Sequence, residues 1–165
     1  MTRPRTSIPF RWPEQSFQIV LVEPEIPQNT GNIARLCAAT GTILHLIEPL
    51  GFRLTDRDVK RAGLDYWESV DIRRAPNFQT FCENNPGVRK LFFSTSGRRN
   101  YAEADYQPGD CLIFGSESRG LPLELLEAHP EDVYNIPMKL ENVRSLNLAN
   151  AASIVLYEAL RQCND

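Results

Sequence analysis

Phe114-Gly115-Ser116-Glu117-Ser118-Arg119-Gly120-Leu121-Pro122 joins an apolar run to a helix-like stretch, and its glycines and proline mark a tight polar corner. Two other segments repeat the arrangement. Pro24-Glu25-Ile26-Pro27-Gln28-Asn29-Thr30-Gly31-Asn32 follows the apolar Phe17 to Val22, and Ile136-Pro137-Met138 leads through Val143-Arg144-Ser145-Leu146-Asn147-Leu148-Ala149-Asn150. Corners of this kind, at the ends of buried strands, are where an α/β protein builds its binding site.

Outward from the corners, short apolar runs alternate with helical patterns. Strands are expected at 17–22, 43–47, 70–73, 88–93, 111–114 and 133–136. Helices are expected from Gly31 to Thr40, from Thr55 to near Gly63, from Pro76 to Glu83, from Pro122 to His129 and from Leu146 to Gln162. Asn29 or Asn32 can cap the first of these and Gly41 can close it. In the last helix Leu148, Ala152, Val155 and Ala159 form one apolar stripe. The fold class is therefore α/β, a mostly parallel sheet of about six strands flanked by helices.

The length suits one well-buried core, and no internal stretch reads as a joint between domains. Residues 1–16 read as a basic, Pro-rich, flexible leader and residues 17–165 as a single domain. With 42% hydrophobic and 24% charged residues the composition is that of a water-soluble protein. No apolar stretch approaches the roughly 20 residues of a membrane helix, and the leader lacks the apolar core of a secretory signal. Cys37, Cys82, Cys111 and Cys163 form no Cys-x-x-Cys pair and neither histidine lies near them, which argues against metal and for reduced thiols in the cytoplasm. A net charge of −3 does not advertise nucleic-acid binding, but 15 of the 18 basic residues are arginine, the side chain suited to forked phosphate contacts.

Nucleoside-triphosphatase, dinucleotide-dependent dehydrogenase and hydrolase chemistries are disfavoured. There is no G-x-x-x-x-G-K-[ST] loop, no G-x-G-x-x-G after the first strand and no G-x-S-x-G elbow. His45 lies inside an apolar strand and reads as a core imidazole. What remains are backbone-rich corners at Gly115 and Pro137, suited to a planar ligand such as adenine, and a helix start at Asn29-Thr30-Gly31-Asn32 that favours an anion. Arg35, about one turn inside that helix, is placed to reach a phosphate, unless it is simply a surface arginine.

Together the segments resemble the knotted SPOUT methyltransferases, within them the small RNA ribose 2′-O-methyltransferase branch, from roughly Phe17 to Gln162. Glu23 to Ala38, His45 to Phe52 and Gly63-Leu64-Asp65-Tyr66 look like the bacterial tRNA (cytidine/uridine-34)-2′-O-methyltransferases. The resemblance implies a C-terminal trefoil knot, S-adenosyl-L-methionine bound by the knot loops, and a homodimer whose contact includes the last helix around Tyr157. It places cofactor contacts on Ser94, Thr95, Ser96, Gly115, Glu117, Ile136, Met138, Ser145 and Leu146, and catalytic roles on Asn29, Arg35, Ser145 and Asn147. Two departures from the branch are Ser94, where a larger apolar residue is expected, and Ser116-Glu117-Ser118 in place of Pro-Glu-Thr.

The implied reaction methylates the ribose 2′-hydroxyl of the wobble nucleotide, cytidine or modified uridine 34, on the anticodon stem-loop of tRNA. Another tRNA position, ribosomal RNA, or a catalytically silent RNA-binding module are the alternatives. Methyl transfer to an alcohol needs in-line alignment, so positioning should dominate. A carboxylate against the sulfonium would stabilise the reactant more than the later state, which leaves Glu117 to shape the site. Arginine side chains ordinarily hold their proton above pH 12, so a phosphate clamp at Arg35 is the milder role and proton acceptor the more demanding one. No metal or membrane is implied. Arg3, Arg5 and Arg11 could add phosphate contacts.

Overall fold

A computed structural model describes residues 3–55, 57, 61 and 66–165. Seven strands form one sheet: β1 (Gln18–Val22), β2 (Ile43–Ile47), β3 (Ile72–Ala75), β4 (Lys90–Phe93), β5 (Arg99–Asn100), β6 (Cys111–Phe114) and β7 (Val133–Asn135). Among the described residues the helices with defined bounds are α1 (Pro27–Thr40), α2 (Phe78–Asn84), α3 (Leu123–Ala128) and α4 (Leu148–Gln162), with short 3₁₀ turns at Tyr101–Glu103 and Pro130–Asp132. The sheet order is β3-β2-β1-β6-β4-β7-β5, and every pairing is parallel.

Alternation along the strands feeds two apolar layers. Ile19, Leu21, Leu44, Leu46, Leu91, Phe93, Leu112 and Phe114 face α1 and α4, where Ile33, Cys37, Ala152, Val155 and Leu156 complete the layer. Val20, Val22, Phe92, Cys111, Ile113 and Val133 face the other way, against Phe81 of α2 and Leu125 and Leu126 of α3. A sheet covered on both faces explains why its central strands read as unbroken apolar runs.

Several expectations change. The sheet has a seventh strand, β5, whose two residues are too few to carry a periodic signal. Helix α1 starts at Pro27, not Gly31, with Ile26 as its N-cap and no side-chain cap of its own. Asn29 and Asn32 thus lie inside the helix, and proline at its first position supplies the preset φ. Its end is as expected: Gly41 at φ 68° sends its N–H back to the Cys37 carbonyl. Asn77, not Pro76, opens α2 by accepting from Thr80 N at 2.8 Å, and Asn147 opens α4. The helix expected from Thr55 to Gly63 falls largely outside the described residues.

One crossing sets the shape of the site. Although β4 and β5 are joined by only residues 94–98, β7 lies between them, so this link arches over the β7 backbone. Ser94 N donates to Tyr134 O at 3.0 Å, and Asn135 Nδ2 donates to Thr95 O at 3.0 Å. A Cβ on Gly97 would sit 2.7 Å from Tyr134 C and O, which is why the arch carries glycine at its closest point.

Candidate active site

The corners that follow β6, β4 and β7, three adjacent strands, open on the same edge of the sheet. Between them and the starts of α1 and α4 lies a cavity of about 690 Å³. Phe93 and Phe114, stacked with ring centroids 5.1 Å apart, contribute to its apolar lining. Ser94, Thr95, Gly115, Glu117, Ile136, Met138, Ser145 and Leu146 all line it, as do Asn29 and Asn147. Residues 29 and 147 are thus brought together across most of the chain.

Gly115 permits this closure. A Cβ there would fall 2.0 Å from Gly120 C and 2.2 Å from Leu121 N, because the corner folds back on itself through a bridge between Ser116 and Gly120. The turn directs Glu117 toward α1. Its carboxylate accepts from Glu25 N at 2.7 Å, Ile26 N at 3.0 Å and Asn29 Nδ2 at 3.1 Å. Asn29 Oδ1 in turn accepts from Asn147 Nδ2 at 2.9 Å, and Asn147 Oδ1 accepts from Ala149 N and Asn150 N at the start of α4. A carboxylate at one end and backbone N–H groups at the other fix the orientation of both amides between them. One polar chain therefore ties the three sequence corners together.

A second tie had no signal in the sequence. Ser118 donates through N and Oγ to the Glu25 carboxylate at 3.2 and 2.7 Å, and Arg119 pairs with Glu23 at 3.3 Å. Glu25 and Ser118 stand 93 residues apart, and only the fold makes them neighbours. Asn135 and Arg144 also line the cavity without having been singled out. Asn135 could have been noticed as the polar residue that ends the last strand.

Arg35 is placed differently. It does not line the cavity; its guanidinium lies 5.1 Å from the ring centre of Tyr66. Six residues along an α-helix turn a side chain through about 600°, so Arg35 points about 120° away from Asn29. His45 stands apart from the site: it is buried, Nε2 is 2.7 Å from Gln18 Oε1, and its pKa is lowered to about 4, chiefly by burial and then by the Arg73 charge. Burial pushes the Cys37 and Cys111 thiols up to about 12, which makes them poor nucleophiles. Among the described residues no group of three or more His, Cys, Asp or Glu could hold a metal ion.

The family model described as SpoU rRNA Methylase matches residues 16–157, nearly the whole of the chain and all three corners. The chain belongs to this family. Among relatives of this SpoU methylase, the tRNA (cytidine(34)-2′-O)-methyltransferase of Aeromonas hydrophila is 53% identical over 147 residues, 88% of this chain and 94% of its own. The enzyme of the same name from Escherichia coli is 50% identical over 147 residues, 88% of this chain and 93% of its own. A solved structure described as "Structural insights into the 2-OH methylation of C/U34 on tRNA" superposes with a TM-score of 0.86 at 50% identity, covering 90% of this chain and 97% of the other. An AdoMet-bound rRNA methyltransferase from Sinorhizobium meliloti superposes at 0.80 with 28% identity, covering 92% of this chain and 58% of its own. The match begins at residue 16, the last residue of the expected leader.

Proposed function

We propose that this SpoU methylase transfers the methyl group of S-adenosyl-L-methionine to the ribose 2′-hydroxyl of nucleotide 34, cytidine or modified uridine, of tRNA. The observation that carries the reading is the hydrogen-bond chain from Glu117 through Asn29 to Asn147, which ties together the three corners of a cavity sized for such a cofactor. Identity near 50% to enzymes named for this reaction supports the substrate.

The cavity fits the cofactor by its donor set. The residues after β4, β6 and β7 offer backbone groups beyond the strand pairing, over an apolar lining that includes Phe93, Phe114 and Leu126. Ser94, Thr95, Gly115, Ile136, Met138 and Leu146 would hold it there, with Ser145 at the mouth. When bound, the cofactor supplies a methyl group on a positively charged sulfur. Glu117 uses both carboxylate oxygens on Glu25, Ile26 and Asn29, and so serves the shape of the site. Asn29 and Asn147 orient the edge of the cavity that receives the ribose.

Arg35 orients the substrate phosphate and fixes the sugar hydroxyl for attack. Because it points away from the cavity of its own subunit, it serves the cavity of a second copy in a homodimer. The exposed Ile154 and Tyr157 of α4, 37% and 50% accessible, offer that copy an apolar contact. The trefoil path belongs to the same reading, and the arch of residues 94–98 over β7 supports it.

Labelled methyl transfer to unmodified tRNA, followed by nucleotide mapping, tests the proposal. Label on the 2′-oxygen of nucleotide 34 is expected. Label confined to ribosomal RNA or to another tRNA position would replace the substrate, and cofactor binding without transfer to any RNA would replace the activity.

A further inference from the structure

The leader contrasts with the rest of the chain in charge and in surface. Its first thirteen residues hold Arg3, Arg5 and Arg11 and no acidic residue, while the whole chain carries −3, so the remaining residues together hold −6. Three prolines, Pro4, Pro9 and Pro13, restrict its backbone to extended forms. Ile8, Phe10 and Trp12 are 80%, 37% and 49% accessible, and the Phe10 and Trp12 rings lean together at 4.5 Å between centroids. Neither ring is spent on the core.

The leader is nevertheless fixed at one point. Arg11 N donates to Asn164 Oδ1 at 2.8 Å, and Asn164 Nδ2 donates to Arg11 O at 3.0 Å. These bonds use only the Arg11 backbone. The anchor lies at the far end of α4, about 25 Å from Asn147 at a rise of 1.5 Å per residue. From Arg11 back to Arg3 an extended, Pro-rich segment spans a further 25 Å or so. A basic, aromatic-bearing strap is thereby held at a set distance from the cavity.

We propose that residues 3–12 are an accessory RNA-gripping arm, which holds the tRNA backbone through Arg3, Arg5 and Arg11 and stacks an unpaired base on Phe10 and Trp12, away from the nucleotide being methylated. The arm rests on the reading of this chain as a tRNA-modifying enzyme. Its chemistry is that of single-strand binding surfaces, in which cations track phosphates and aromatic faces take bases with little sequence preference. It also gives an otherwise acidic subunit a local positive field where RNA must approach.

The test compares the full chain with two multiple variants, Arg3→Gln/Arg5→Gln/Arg11→Gln and Phe10→Ala/Trp12→Ala, in binding unmodified tRNA across a salt series. The arginine variant is expected to weaken binding about tenfold at 0.1 M salt and to flatten the slope of log affinity against log salt by about 2 to 3, the loss of three phosphate contacts. The aromatic variant is expected to weaken binding by a similar factor with the slope unchanged. Retained S-adenosyl-L-methionine affinity in both would show that the fold and the cavity persist.

An unaltered salt slope in the arginine variant overturns the proposal. So does a change in sedimentation that tracks protein concentration without a change in tRNA affinity, which would seat the leader on a second copy of the chain. If mapping moves the methylated nucleotide to another RNA, the same salt series on that RNA decides the arm separately from the wobble assignment.

Discussion

Glu117 can only accept and the amides of Ala149 and Asn150 can only donate, so the two asparagines between them have one allowed orientation each. Asn29→Asp would set a second carboxylate against Glu117 and remove the donor at Nδ2. The expected result is a loss of about 1–3 kcal/mol in chemical unfolding, with weakened cofactor binding measured by calorimetry. Arg35→Ala should reduce methyl transfer at least a hundredfold and leave cofactor affinity within about twofold, because Arg35 is outside the cavity. Tyr66→Phe should keep the cation–π contact and most of the activity; Tyr66→Leu should lose it, with a fall in turnover rather than in stability. His45 contributes a pH dependence between neutrality and pH 4. Its folded pKa of about 4 lies below the ordinary 6.5, so the stabilisation is full above pH 6.5 and is lost as the pH falls toward 4, at no more than about 1.4 kcal/mol per pH unit. Denaturation midpoints followed from pH 7 to pH 4 should fall less steeply in His45→Gln.

At the scale of elements, the central strands were legible because burial on both faces leaves their apolar runs uninterrupted, as in β1 and β6. The start of α1 was not, because the group that organises it is Glu117, 88 residues beyond Asn29. Local rules look for a cap within a few positions and settled on the nearest asparagines. Strand β5 escaped for the opposite reason: two residues, held by pairing with Tyr134 and Asn135, need no pattern of their own. The corner at Gly115 was recognised as a turn, yet the sequence could not show that residue 120 comes back to lie against it. Gly115→Ala should therefore open the loop, and both cofactor binding and the melting temperature are expected to drop, the latter by several degrees in calorimetry. A variant that melts like the parent and binds cofactor normally would show that the corner has more room than its geometry allows.

For the whole molecule, the direction of Arg35 makes a prediction about pairs of subunits. Arg35→Ala and Gly115→Ala chains are each expected to be inactive alone. Mixed and reassembled, they should regain about a quarter of parental turnover, because half of the pairs then hold one site with both an intact cavity and an intact arginine. No recovery would return Arg35 to its own subunit. The arch of residues 94–98 over β7 has a consequence for how the polypeptide matures. On the trefoil reading, the thirty or so residues beyond Asn135, α4 among them, have to come to the far side of that arch during folding. A compact passenger protein fused after Asp165 should then delay recovery from denaturant, while the same passenger ahead of Met1 should not, and stopped-flow traces of the two fusions would tell whether the tail is drawn through or the arch is laid down over it.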